Sequence, residues 1–285
     1  MKSNSVLFVG CGDLGARAGR LLQRQGWQVA GVRRDISKLP PGFTGHRADY
    51  AEAGSLDFVA ALQPDFVVTT FNPTDRSVEG YVAGFLTATA NLLSGLGGHE
   101  PRCILAVSST RVFAEQQGGW VDETSPLSTT DPRAQPMIEA EQLLQVSSIA
   151  ASVVRFGGIY GAPGGRLLSR IARGELCSPA PVHYGNRMHR DDCAGFLAHL
   201  LGLSAAGKGL APLYIGVDDQ PVPRYEVESW LAREIGVAPQ RLEAAPVVEV
   251  SGGHKRCRNL ALHDSGYQLL YPDYRSGYRA VLNEL

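Results

Sequence analysis

Near the start of the chain, glycines fall at Gly10, Gly12 and Gly15 within the run Val-Gly-Cys-Gly-Asp-Leu-Gly. An apolar, strand-like segment (Ser5 to Gly10) precedes them, and a helix-like segment (Leu14 to Gln25) follows. Glycines at this spacing allow a tight turn and a close approach of the backbone. The helix start, at Asp13 and Leu14, offers free N–H groups and partial positive charge. That is chemistry for a pyrophosphate, and the turn reads as a dinucleotide site. A second strand-like run, Trp27 to Val32, ends in Arg33-Arg34-Asp35, with Arg33 21 residues beyond Gly12. An acidic residue there would accept from the ribose hydroxyls of NAD. Two guanidinium groups instead favour a 2′-phosphate through charge-assisted, bidentate bonds. NADP is the expected cofactor, with Asp35 keeping NAD open. Asp49 and Tyr50 follow a third short element, and Asp49 could accept from an adenine amino group. Phe71 and Asn72 follow the run Asp65 to Thr70, where the chain should pass the cofactor's ribose.

The elements that must hold these residues alternate. Strand-like runs at Ser5–Gly10, Trp27–Val32, Asp65–Thr70, Cys103–Ser108 and Ala151–Phe156 are continuous and rich in Val and Ile, which suits a parallel sheet buried on both faces. Helical spacing separates them, over Leu14–Gln25 and Tyr81–Leu96. The pattern predicts an α/β fold with a doubly wound parallel sheet. After Gly161 the rhythm loosens. A helix from Tyr225 to Gly236 and a late strand, Leu213 to Gly216, remain. The expected organisation is a dinucleotide-binding Rossmann domain over 1–160, with 161–285 completing the sheet and forming a small substrate lobe.

Bulk properties narrow the function. The 285 residues carry a net charge of −1, and 44% of them are hydrophobic; the mean hydropathy is −0.08. Neither nucleic acid nor an anionic membrane is expected as a partner. No apolar stretch approaches the roughly 20 residues of a membrane helix, and no leader pattern opens the chain, so a cytoplasmic protein is expected. The five cysteines and seven histidines show no metal-ligand spacing, and no metal is expected. Cys11 and Cys103 read as small buried thiols.

Several further segments carry a resemblance. Ser108-Ser109-Thr110-Arg-Val-Phe-Ala is similar to a Ser-Ser-x-x-Val-Tyr-Gly segment, and Val154-Arg-Phe-Gly-Gly-Ile159-Tyr160-Gly is similar to an Arg-x-x-x-x-Tyr-Gly run. Asn186-Arg187-Met-His189-Arg-Asp-Asp and Lys255-Arg-Cys-Arg-Asn259 have counterparts too. Together they resemble the extended short-chain dehydrogenase/reductase family, also called the NAD-dependent epimerase/dehydratase family, and within it a bacterial branch labelled sugar-nucleotide epimerase-like.

The resemblance implies that Ser109 hydrogen-bonds a substrate oxygen, that Ser108 and Ile159 lie on the cofactor, and that Thr110, Tyr160, Arg187 and His189 face the substrate. It implies a small polar or nucleotide-sugar-like substrate, and a homodimer is a reasonable expectation. It also implies a Tyr-x-x-x-Lys pair on the helix around Ile138 to Leu144. Aligning that helix puts Arg133 and Met137 at the two positions, and no Tyr or Lys lies between Gly119 and Ala150. Arginine is no general acid near neutral pH and methionine carries no proton. Two functions stay open: an NADP-dependent oxidoreductase or epimerase, and a catalytically silent NADP-binding sensor or scaffold. Tyr160 reads as a ring packed beside the cofactor. His189 reads as structural or as a substrate partner, and Arg187 and Arg190 as a clamp for an anion. Glu139 and Glu141 read as solvated helix residues.

Overall fold

The computed structural model describes residues 3–238 and 253–284. Its centre is a seven-stranded sheet in which every neighbouring pair is parallel. Six of its strands are β1 (Ser5–Val9), β2 (Gln28–Val32), β3 (Thr44–His46), β4 (Phe66–Thr69), β5 (Cys103–Ser109) and β7 (Ala151–Phe156). The seventh, β11 (Leu213–Gly216), comes from the second half of the chain. A short strand, β6 (Trp120–Val121), lies outside this sheet. The order is β11-β7-β5-β4-β1-β2-β3. The chain therefore leaves β1 toward β2 and β3, then returns to the other side of β1 to lay down β4. At such a reversal the connections diverge and open a crevice at the carboxyl ends of the strands.

Pleating sends alternate side chains to opposite faces, and both faces are dry. Val6 and Phe8 join one core with Leu22, Phe66 and Phe196. Leu7 and Val9 join the other with Leu92, Ile104 and Ile138. On the first face, α1 (Asp13–Arg24) packs on α7 (Arg190–Ala205). Arg17 ties the two, reaching Asp13 at 3.1 Å and Asp191 at 2.6 Å. Gly19 lets α1 approach its neighbours, since a Cβ there would meet the Phe43 ring at 2.5 Å.

On the second face lie α2 (Val59–Leu62), a longer helix and α5 (Gln135–Val146). The longer helix starts at α3 (Val78–Tyr81) and ends with α4 (Ala88–Leu96), the two being joined by a wide π-helical turn over Val82–Thr87. It begins three residues before the expected Tyr81. Such turns mark places where a helix bends to fit something. Here Gly84 presses on the Asn72–Pro73 loop, where a Cβ would sit 2.3 Å from the Asn72 carbonyl oxygen.

Glu141 corrects the sequence reading. It is 5% exposed rather than solvated. The Ser108 hydroxyl donates to it at 2.5 Å, and Arg155 on β7 pairs with it at 2.6 Å. Arg155 also lies over the Phe113 ring, 4.9 Å from its centroid. Met137 and Leu144 occupy the same buried face of α5, so a carboxylate at the fourth position from Met137 is carried inward with them. Glu139 is half-buried, accepting from Gln135 at 3.1 Å.

The remaining chain builds over the carboxyl edge. Here β8 (Gly158–Tyr160) pairs with β10 (Arg187–His189), and β9 (Tyr184–Gly185) pairs with β12 (Val222–Pro223). Helices α6 (Arg166–Ala172) and α8 (Arg224–Glu234) share a separate core with the helix Tyr274–Asn283, built on Ile171, Trp230, Leu231 and Tyr274. Finally β13 (Arg256–Cys257) returns to pair with β6. Among the described residues, no helix is long and apolar enough to cross a membrane.

Replacing Arg155 by Met leaves Glu141 buried without its partner, at an expected cost of about 3–5 kcal/mol. The urea midpoint measures this. A loss below about 1 kcal/mol would mean that the pair does not hold α5 to the sheet.

Candidate active site

The cradle forms at the carboxyl ends of β1, β2 and β4. Gly10 adopts φ +84°, and a Cβ there would meet the Thr70 carbonyl oxygen at 2.9 Å and the Tyr50 ring at 3.3 Å. Any larger residue is strained and also fills the space. The turn is tied down by Gly10 N–H and Cys11 N–H, which both donate to the Val32 carbonyl, and by the Thr70 hydroxyl, which donates to Gly10 O at 2.8 Å. Helix α1 starts at Gly12 with no side-chain cap. Its first amides, at Asp13, Leu14 and Gly15, are therefore left for an anion. This turn and uncapped helix start fit the pyrophosphate of a dinucleotide.

The expected nucleotide-end residues assemble around it. Arg33 and Arg34 follow β2, and Arg34 reaches Asp49 at 3.6 Å while staying 80% exposed. Arg33 donates to the Lys38 carbonyl. Asp35 turns away to cap the next turn, accepting from Ser37 N–H. Tyr50 packs against Phe71 in a tilted arrangement, ring centroids 4.7 Å apart, and its hydroxyl meets both the amide and the carbonyl of Asn72 at 3.3 Å. Ser108, expected on the cofactor, turns its hydroxyl inward to Glu141.

Beside the cradle opens a cavity of about 890 Å³, lined by Ser109, Thr110, Ile159, Tyr160 and Arg187 from the expected set. Ser109 sits at the end of β5, and its hydroxyl oxygen accepts from Arg111 N–H at 3.2 Å, which leaves its own proton to donate. Ile159 is 47% exposed. Tyr160 stacks on Tyr278 at 4.4 Å, and its hydroxyl is buried without a hydrogen-bond partner among the described residues. Burial, reinforced by the charge of Asp218, pushes this phenol well above its usual range. The phenol therefore keeps its proton near neutral pH. His189 does not line the cavity. It is 3% exposed, and its Nδ1 accepts from Asp191 N–H at 3.2 Å to cap α7. Burial lowers its pKa. The position expected on the substrate side is thus a helix cap. Arg190 reaches toward Glu284 at 3.8 Å instead of joining Arg187.

Arg133 and Met137 stay outside the cavity. Met137 is 3% exposed inside the second core, and Arg133 is half-exposed, just beyond Asp131 and Pro132, which do line the cavity. Four cationic residues that the motifs did not single out for the site also line it: Arg111, Arg170, Arg224 and Lys255. Arg170 pairs with Glu228 through one nitrogen, while its Nη1 is buried and unpartnered among the described residues, as is Nη1 of Arg187. Arg224 loses some basicity through burial and through the charge of Arg187. Behind Arg187 lies Asp218, 1% exposed, with burial raising its carboxyl to about 7 against the opposing pull of Arg187. Lys255 belonged to a segment the resemblance had picked out, but its role had no local signal. Arg170 and Arg224 lay in no motif. All five cysteines are buried and unpaired.

Fold and cradle together define an NAD(P)-binding α/β protein of the Rossmann type. No family model matches the chain. A solved Methylobacillus flagellatus structure, assigned to the NAD-dependent epimerases/dehydratases, is 34% identical to it. The match covers 99% of this chain and 98% of that one, with a TM-score of 0.83. The chain belongs to the NAD-dependent epimerase/dehydratase family. A Streptomyces enzyme, 3-diazoavenalumate denitrifying reductase, is 27% identical over 240 residues, 77% of each chain. A human epimerase family protein solved with NADPH shares the fold, at TM-score 0.76 and 19% identity over 99% of this chain and 100% of that one.

The raised carboxyl of Asp218 predicts a pH dependence of stability. Its pKa in the folded protein, about 7, lies above the ordinary 3.8, so its contribution is full below about 3.8 and is lost as pH rises through 7. Relative to Asp218→Asn, the wild-type melting temperature should fall between pH 4 and 7. Parallel curves for the two proteins would refute this.

Proposed function

We propose that the protein is an NADP-dependent oxidoreductase acting on a small polar substrate that carries an anionic group. The observation that carries this reading is the set of residues gathered in one cavity. Ser109 ends a strand of the nucleotide-binding sheet and lines the same cavity as Arg170 and Arg187, each of which also holds a buried Nη1 with no hydrogen-bond partner among the described residues. Buried guanidinium N–H groups are costly unless they meet an acceptor. A phosphate or carboxylate on the substrate supplies one, in the fork geometry arginine prefers. A nucleotide-linked sugar and a small carboxylic acid both satisfy that chemistry.

Bound NADP(H) supplies hydride chemistry. The chain's own residues do the rest. The Gly10–Gly15 turn binds the pyrophosphate, and Arg33 and Arg34 bind the 2′-phosphate. Ser109 donates to the reacting oxygen and orients it, while Arg170 and Arg187 fix the other end. The relative named as a denitrifying reductase supports reduction over epimerisation as the reaction.

The positions of Arg133 and Met137 favour one second reading, a protein that binds NADP without turnover. A titration separates the two. Arg33→Ala and Arg34→Ala should each weaken NADP⁺ and NADPH about 10- to 100-fold, from the loss of charged hydrogen bonds worth about 1.5–3 kcal/mol. NAD⁺ should change little. Dinucleotide oxidation is then followed with nucleotide sugars and carboxylate-bearing carbonyl compounds. Turnover removes the silent reading, tight binding with no turnover across the panel supports it, and failure to bind any dinucleotide removes both.

A further inference from the structure

We propose that Lys255 is a catalytic residue of this cavity: its ammonium hydrogen-bonds the substrate oxygen beside Ser109 and gives that oxygen its proton. The proposal rests on the oxidoreductase reading and deepens it.

The geometry around Lys255 is built. The residue is 2% exposed yet lines the cavity. Its Nζ donates to the Phe113 carbonyl at 3.0 Å and the Thr110 carbonyl at 3.3 Å. Those carbonyls belong to the turn that begins at Ser109. The ammonium is thereby fixed next to the residue that orients the substrate. An ammonium has three protons, so one donor remains after these two bonds.

The backbone is clamped as firmly as the side chain. Asn186 donates to the Lys255 carbonyl at 3.0 Å and accepts from Cys257 N–H at 2.7 Å. Pairing of β13 with β6 holds the following residues. Two segments distant in sequence thus converge to place one amine.

Among the described residues, Lys255 has carbonyl partners but no carboxylate within ion-pair distance. A buried charge with no counter-charge is costly, and an oxygen that gains negative charge during reaction removes that cost. The groups facing it are Cys257, Glu115 and Asp131, which hold its proton on, and Arg111, which opposes them. Burial outweighs these and lowers its pKa, bringing the amine closer to the range useful for proton transfer.

The step balances. As the carbonyl carbon gains hydride from the reduced dinucleotide, the π pair moves to oxygen. An N–H bond of Lys255 breaks and an O–H bond forms, giving an alcohol, oxidised dinucleotide and a neutral amine. Water then returns the proton to the amine. Lys255 supplies what Arg133 and Met137 cannot.

The chain has four lysines, Lys2, Lys38, Lys208 and Lys255, so ¹⁵N-lysine NMR resolves each ammonium. The Lys255 signal is assigned by its loss in Lys255→Arg. In NADP⁺-saturated protein, acetate is titrated as an oxyanion probe. The expected result is a shift confined to the Lys255 signal, with its titration midpoint moving upward, and a weaker response in Ser109→Ala. A Lys255 signal that stays still to 100 mM acetate, or four signals that move together, would overturn the proposal. With any substrate that turns over, Lys255→Met should lower kcat about 10²- to 10⁴-fold with NADP⁺ affinity unchanged. Lys255→Arg should keep the fold and the charge yet lose kcat as Lys255→Met does, since a guanidinium is no proton donor near neutral pH. Should no substrate turn over, the oxidoreductase reading fails, while the acetate titration still decides where Lys255 acts.

Discussion

The Glu141 carboxylate, sunk between α5 and the sheet, is the interaction on which the site's geometry depends. It takes the Ser108 hydroxyl from β5 and the Arg155 guanidinium from β7, so two adjacent strands and one helix are locked to a common point. Ser109, the next residue, inherits that position. Its side chain points the other way because successive strand residues alternate. One inward hydroxyl fixes the strand and its neighbour meets the cavity. A buried ion pair is weak support for net stability, but it has strong directional demands, and here those demands set where the Ser109 hydroxyl lies.

The cavity's other wall is assembled differently. Arg187 lies on β10, Arg170 on α6, Arg224 at the start of α8, and Lys255 just before β13. These four residues come from four separate elements. Their charges are held together by Glu228, by backbone carbonyls and by the Tyr160–Tyr278 stack. Gly277 makes room for that stack, since a Cβ there would overlap the Tyr160 hydroxyl.

Legibility in the sequence follows the same division. The strands, α1, the glycine turn and the arginines after β2 are governed by local periodicity and backbone freedom, and they could be read directly. Glu141 was misread because its charge suggested solvent, although Met137, Glu141 and Leu144 share a helical face and two of the three are plainly apolar. His189 sits in a recognisable motif, but motif membership does not distinguish a ligand from a helix cap, and only the Asp191 amide decides. Arg170, Arg224 and Lys255 gain their meaning from packing between distant segments, for which spacing along the chain carries no signal.

The placement of β11 bears on how the protein is made. Strand β7 is paired with β5 on one side, while its other side waits for Leu213–Gly216. About 57 residues separate Phe156 from Leu213, and at roughly 5–20 residues per second a ribosome needs about 3–11 s to cross them. Through that interval the nascent sheet presents Val153 and Val154 along an open edge, the arrangement most prone to pairing with the wrong chain. Newly synthesised protein thus has a window in which a chaperone matters more than the stability of the finished fold.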